Sequence, residues 1–89
     1  MTDGLTNPEP PPPHPITVQV NERPVALPTN HVTGLDIKNA AIAQAVPIQL
    51  DFVLSEELGG HKTRLIGDGD ELTVNEHSRF LAIPPDDNS

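Results

Sequence analysis

The chain has 89 residues, thirteen of them acidic and five basic, and it contains no cysteine. A net charge of −8 leaves no basic stripe to displace counterions from a phosphate backbone, which excludes nucleic acid as an expected partner. With neither disulfides nor a clustered His/Cys set, the length allows one domain of about 70 residues with a core worth roughly 3–5 kcal/mol, small for an enzyme with a deep cleft.

The opening MTDGLTNPEP has neither a basic n-region nor an apolar h-region. No apolar run approaches the roughly twenty residues that span a bilayer, so the expectation is a cytoplasmic protein without membrane contact. Residues 1–15 carry Pro8, Pro10, Pro11, Pro12, Pro13 and Pro15 and almost nothing to bury, the composition of a disordered, solvated arm. A polyproline docking peptide would want a neighbouring Arg or Lys, and none precedes Ile16.

From Ile16 the pattern has period two: Ile16, Val18 and Val20 alternate with Thr17, Gln19 and Asn21, predicting a half-buried strand. Asn21 to Pro24 read as a turn and Val25 to Leu27 as the returning strand, ended by Pro28. Thr33 is placed as a helix N-cap with Asp36 reaching back to it, and the helix is expected from about Gly34 to Ala45. Ile37, Ala41 and Ala45 form its buried stripe, with Leu35 and Ile42 beside it and Lys38, Asn39 and Gln44 toward water. Pro47 blocks further extension.

Gln49 to Ser55 alternates again, with Leu50, Phe52 and Leu54 inward and Asp51 and Val53 outward. Glu56 to His61 is expected to be a mobile connection. Thr63 to Ile66 and Leu72 to Val74 are short strands around the turn Gly67 to Asp70, and Ser78 to Ile83 is the last strand. This order gives an α+β, β-grasp (ubiquitin-like) ββαββ arrangement: a mixed sheet with one face packed on a single helix. Its boundaries are a Pro-rich arm at 1–15, a domain at 16–85 and a flexible tail at 86–89.

The segments ITVQVN-x-RPVAL, HVTGLDIKNAA, LIGDGDELTV and SRFLAIPP, in that order, resemble the multiubiquitin-type bacterial ubiquitin-like domains. The resemblance covers Ile16 to Pro85. It implies a ubiquitin-like protein acting as a modifier or substrate of an E1/E2-like conjugation pathway, with a deubiquitinase-like peptidase as a further partner, in a setting such as phage defence. A non-covalent interaction or self-assembly module is the alternative, and a sulfur carrier a weaker one. None of these roles makes the chain an enzyme.

The tail is where such a pathway acts. The carboxylate must enter a narrow adenylating site, which glycine suits because it has no side chain. Here the final residues are Asp86, Asp87, Asn88 and Ser89, with no glycine after Gly69. The Gly59-Gly60 pair lies inside the fold and is expected to be a turn. A partner-binding patch is expected at Val53, Leu81 and Ile83, which alternation turns outward if Phe80 and Ala82 point in.

Asp68, Asp70 and Glu71, with Asp86 and Asp87, are weak Ca²⁺ candidates, lacking the spaced twelve-residue loop that would specify the ion. His14, His31, His61 and His77 are scattered without zinc spacing. Ser55 and Ser78 have no nucleophile context. The chemistry expected of the chain therefore calls for no metal or cofactor.

Overall fold

A computed structural model describes residues 15–85. Residues 1–14 of the expected 1–15 arm, and the expected tail at 86–89, lie outside the described residues. Strand β1 (Ile16–Val20) and strand β2 (Arg23–Leu27) form the first hairpin. Its turn is shorter than the sequence suggests, because Asn21 and Glu22 both adopt positive φ, at 54° and 68°. That is the geometry of a two-residue type I′ turn, whose twist matches that of the flanking strands. Pro24 consequently sits within β2, opposite Gln19.

The register explains why proline is accepted there. In an antiparallel pair closed by Val20 and Arg23, residues 24 and 26 turn their backbone groups away from β1. β2 is the outer strand of its sheet, so Pro24 forfeits no ladder bond. At Ala26 both outward groups are occupied: its N–H donates to Gln44 Oε1 and its C=O accepts from Gln44 Nε2, each at 2.8 Å.

Strand β3 (His31–Thr33) leads directly into helix α1 (Gly34–Ala43). Thr33 and Asp36 form the expected capping box, with N–H to side-chain oxygen distances of 3.0 and 3.1 Å. The helix ends two residues before the expected Ala45. Ala45 takes a φ of +73°, its N–H bonds to Ile42 O at 3.1 Å, and the Val46 N–H bonds to Ala41 O at 3.0 Å. This is a Schellman termination with alanine where glycine is usual, so Ala45 is exposed and Val46 enters the core in its place.

The remaining strands are β4 (Val53–Leu58), β5 (Lys62–Ile66), β6 (Glu71–Thr73) and β7 (Arg79–Ile83). Two sheets result, one ordered β2-β1-β7-β4-β5 and the other β3-β6. β1 and β7 run parallel, so the beginning and end of the domain meet at its centre. The amide of Asn21 strengthens that junction: Nδ2 donates to Ala82 O at 3.0 Å and Oδ1 accepts from the Ala82 N–H at 2.8 Å. One mixed five-stranded sheet with one helix is the α+β, β-grasp ubiquitin-like fold.

The core follows strand parity. Val18, Val20, Val25, Leu27, Phe80, Ala82, Leu54 and Ile66 point from the sheet toward Ile37 and Ala41 of α1. Val32, Leu72, Val74, Val46 and Ile48 close its margins.

Several expected boundaries move. β4 begins at Val53 instead of Gln49, because Phe52 N–H bonds back to Gln49 O at 3.0 Å in a turn that leaves Leu50 exposed. Glu56 to Leu58, expected as connection, complete β4 opposite Arg64 to Lys62. Phe52 is half-buried, so of the two aromatics Phe80, 1% exposed, carries the larger core burden. Lys38, expected to face water, is buried.

Alanine in the left-handed region is disfavoured against glycine by an amount that the Schellman bonds must override. Ala45→Gly is therefore expected to raise unfolding free energy by about 1 kcal/mol, read from urea midpoints at unchanged slope. A loss of stability would contradict this account of the helix end.

Candidate functional site

Strand parity that fills the core also dictates what the other face of the sheet displays. With Phe80 and Ala82 inward on β7, Leu81 and Ile83 face out; with Leu54 inward on β4, Val53 faces out. Val53 lies directly opposite Ile83, and Ser55 lies opposite Leu81. On its other side Ser55 pairs with Leu65 of β5, so Leu81, Ser55 and Leu65 form one row across three strands.

Leu65 is the residue that sequence reasoning left out of the patch. At 70% exposure it is the most accessible large apolar side chain among the described residues, against 48% for Ile83, 39% for Leu81 and 37% for Val53. The signal was present: with Ile66 turned inward, alternation along β5 turns Leu65 outward. Four apolar side chains on one face, bounded by Arg79 on β7 and the Glu57–Thr63 pair, make a contiguous surface of the kind that protein partners cover.

The carboxylates of the acidic turn bond to groups of the chain itself. Asp68 Oδ1 accepts from Lys38 Nζ at 2.8 Å, and Asp70 Oδ2 accepts from the Gly67 N–H at 2.7 Å. Glu71 Oε1 lies 3.2 Å from His31 Nε2 across the β3–β6 pair. The three carboxylates thus serve three separate partners. Among the described residues no group of three His, Cys, Asp or Glu side chains is placed to hold a metal ion.

Backbone carbonyls of the same turn receive the helix N-terminus, with Gly34 N–H bonding to Asp70 O and Leu35 N–H to Asp68 O, both at 3.1 Å. Gly34 is required by this approach, since a Cβ there would collide with the Gly67 carbonyl oxygen. Lys38 completes the joint, its ammonium also donating to Leu50 O at 3.0 Å.

Gly59 and Gly60 form, with His61, the three-residue loop between β4 and β5, consistent with a turn and not a modifier tail. Ser78 is buried, its hydroxyl accepting from the Asn75 N–H at 2.9 Å. Ser55 is half-buried in the middle of the outward row. Asp86, Asp87, Asn88 and Ser89, the expected conjugation tail, lie outside the described residues, and β7 ends just before Pro84 and Pro85.

The family model described as Multiubiquitin matches residues 16–86, which takes in every strand and the helix. The chain belongs to the Multiubiquitin family. Searches of curated proteins and of solved structures find no match to it. This Multiubiquitin chain is a ubiquitin-like protein, and no helix among its described residues is long and apolar enough to cross a membrane.

The Lys38–Asp68 pair is asymmetric: the lysine side chain is 6% exposed and the aspartate 54%. Removing the wet partner strands the dry charge, whereas replacing the dry one with an apolar chain of similar shape leaves a carboxylate that water can solvate. Asp68→Ala is expected to cost about 2–3 kcal/mol and Lys38→Met less than about 1 kcal/mol in urea unfolding. The reverse order would show that the ammonium is not held as described.

Proposed function

We propose that this ubiquitin-like protein is a modifier or substrate of an E1/E2-type conjugation pathway, held by the pathway's enzymes through Val53, Leu65, Leu81 and Ile83. The observation that carries the proposal is that apolar face on a Multiubiquitin domain. A sheet whose core side is already saturated by α1 has no internal use for four further apolar side chains.

The chemistry lies beyond β7. A carboxylate on the segment following that strand attacks the α-phosphorus of ATP and expels pyrophosphate. A cysteine thiol of an E1-like enzyme then displaces AMP to form a thioester, which passes to an E2-like cysteine. Pro84 and Pro85 follow the central strand β7 directly and, lacking N–H groups, do not extend its ladder. A deubiquitinase-like peptidase would reverse the linkage. The bacterial cytoplasm and a role in phage defence are the setting we infer from the resemblance of ITVQVN-x-RPVAL and SRFLAIPP to the bacterial members.

The test is intact mass spectrometry of the chain with ATP and an E1-like enzyme. A reductant-sensitive adduct is expected with the full chain and lost when residues 86–89 are removed. Leu65→Asp and Ile83→Asp should slow adduct formation by roughly tenfold or more while leaving the urea midpoint nearly unchanged, as expected for apolar contacts removed from an interface. No adduct from a demonstrably active enzyme would overturn the proposal.

One observation favours a second reading, a non-covalent module that joins through strand edges. Among the described residues β5 ends the five-stranded sheet with no strand beyond it, while β2 presents Pro24 and the Gln44-occupied Ala26 at the opposite end. On this reading Thr63→Pro in β5 abolishes self-association seen by light scattering, and a monomeric native chain at all concentrations removes the reading.

A further inference from the structure

We propose that Lys62 is the acceptor amine of this chain, the nitrogen to which the carboxylate of a second copy is joined. The inference rests on the conjugation reading above and adds to it the place of attachment. An acceptor in such chemistry is a primary amine that an enzyme-bound thioester can reach. The sequence offers two lysines, Lys38 and Lys62, and the structure treats them in opposite ways.

Lys38 is removed from the reaction by the fold. Its side chain is 6% exposed, and its ammonium donates to Asp68 Oδ1 at 2.8 Å and Leu50 O at 3.0 Å. To present that nitrogen, both bonds must break and the elements packed over the side chain must give way. Such an opening carries the cost of a local unfolding event.

Lys62 is exposed and opens β5 immediately after the loop Gly59-Gly60-His61. That loop is spare in bulk: Gly60 and His61 have φ of 73° and 65°, and a Cβ built on Gly59 or Gly60 would meet no atom within 4 Å. A thioester on a large enzyme therefore has a clear approach. No carboxylate among the described residues forms an ion pair with Lys62, whereas its strand neighbour Arg64 is bound to Glu56 at 2.7 Å. Three residues along β5 from Leu65, about 10 Å, Lys62 turns its side chain to the opposite face of the sheet from the apolar patch.

The step balances without further reagents. The lone pair of deprotonated Nζ attacks the thioester carbonyl carbon, the C–S bond breaks, and the thiolate leaves. The nitrogen's surplus proton passes to solvent and an isopeptide amide remains. No redox change occurs, and ATP has already been consumed in forming the thioester.

Two arms test the assignment. In the first, full chain carrying a chemically installed carboxyl thioester of a small thiol is mixed with unmodified chain, with no enzyme, and branch points are mapped by tandem mass spectrometry. Lys62 is expected to react roughly tenfold or more faster than Lys38, with the difference vanishing in denaturing urea. In the second, ATP and E1- and E2-like enzymes are supplied. A copy-to-copy product branched at Lys62 is expected from the native chain and from Lys38→Met, and none from Lys62→Arg.

Equal reaction of Lys38 and Lys62 in the folded chain would overturn the proposal. So would an undiminished enzymatic product from Lys62→Arg, branched at Lys38 or at the Met1 amine. Absence of any thioester on an active E1-like enzyme would instead sink the conjugation reading, and the enzyme-free arm alone then decides whether Lys62 is the reactive amine.

Discussion

The fold depends on one joint, the docking of the α1 N-terminus against the turn from Gly67 to Asp70. Helix ends leave N–H groups that must be satisfied, and here two different devices share them. The Thr33–Asp36 capping box takes two, while the carbonyls of Asp68 and Asp70 take those of Leu35 and Gly34. Asp70 holds the turn in shape through the Gly67 N–H, and Asp68 secures Lys38 one helical turn further on. A helix placed in this way covers the five-stranded sheet at a fixed height, so Ile37 and Ala41 meet Val18, Val25 and Leu27. The acidity of GDGDE thus expresses a structural hinge between the helix and the second sheet.

That same placement determines the outward face. Because α1 fixes which side of the sheet is dry, the register Val53–Ile83 and Leu81–Ser55–Leu65 has no freedom to rotate its apolar residues inward. A one-residue slip in β4 would bury Ser55 and expose Leu54. The outward apolar surface is therefore a by-product of core parity, and its register is fixed by the same pairing that fixes the core.

Strand parity and capping chemistry were legible in the sequence because they are local. Val18, Val20, Leu54, Phe80 and Ala82 followed from alternation, the capping box from Thr33 and Asp36, and Val53, Leu81 and Ile83 from their neighbours. What could not be read was set by distant partners. Lys38 looks like a solvated helix residue until Asp68, thirty positions away, is brought beside it. The three residues of β3 are too few to show a period, and they become a strand only by pairing with β6. The helix end was misplaced because its left-handed residue is Ala45, without the glycine that usually announces a C-terminal cap. Of the site, the missing Leu65 was within reach of parity, whereas the divergence of Asp68, Asp70 and Glu71 toward separate partners was not.

Two amide side chains act as surrogate peptide groups in this domain. Asn21 extends β1 along β7, and Gln44 seals Ala26 at the margin of β2, where Pro24 and then Pro28 supply no N–H at all. The five-stranded sheet is left with a polarity: one margin is sealed and the other is receptive. If two such sheets meet through β5, each consumes the only receptive margin of the other, and nothing remains on which a third can build. Growth by strand addition among the described strands of this sheet would terminate at a pair, so an unlimited fibril cannot propagate by that route.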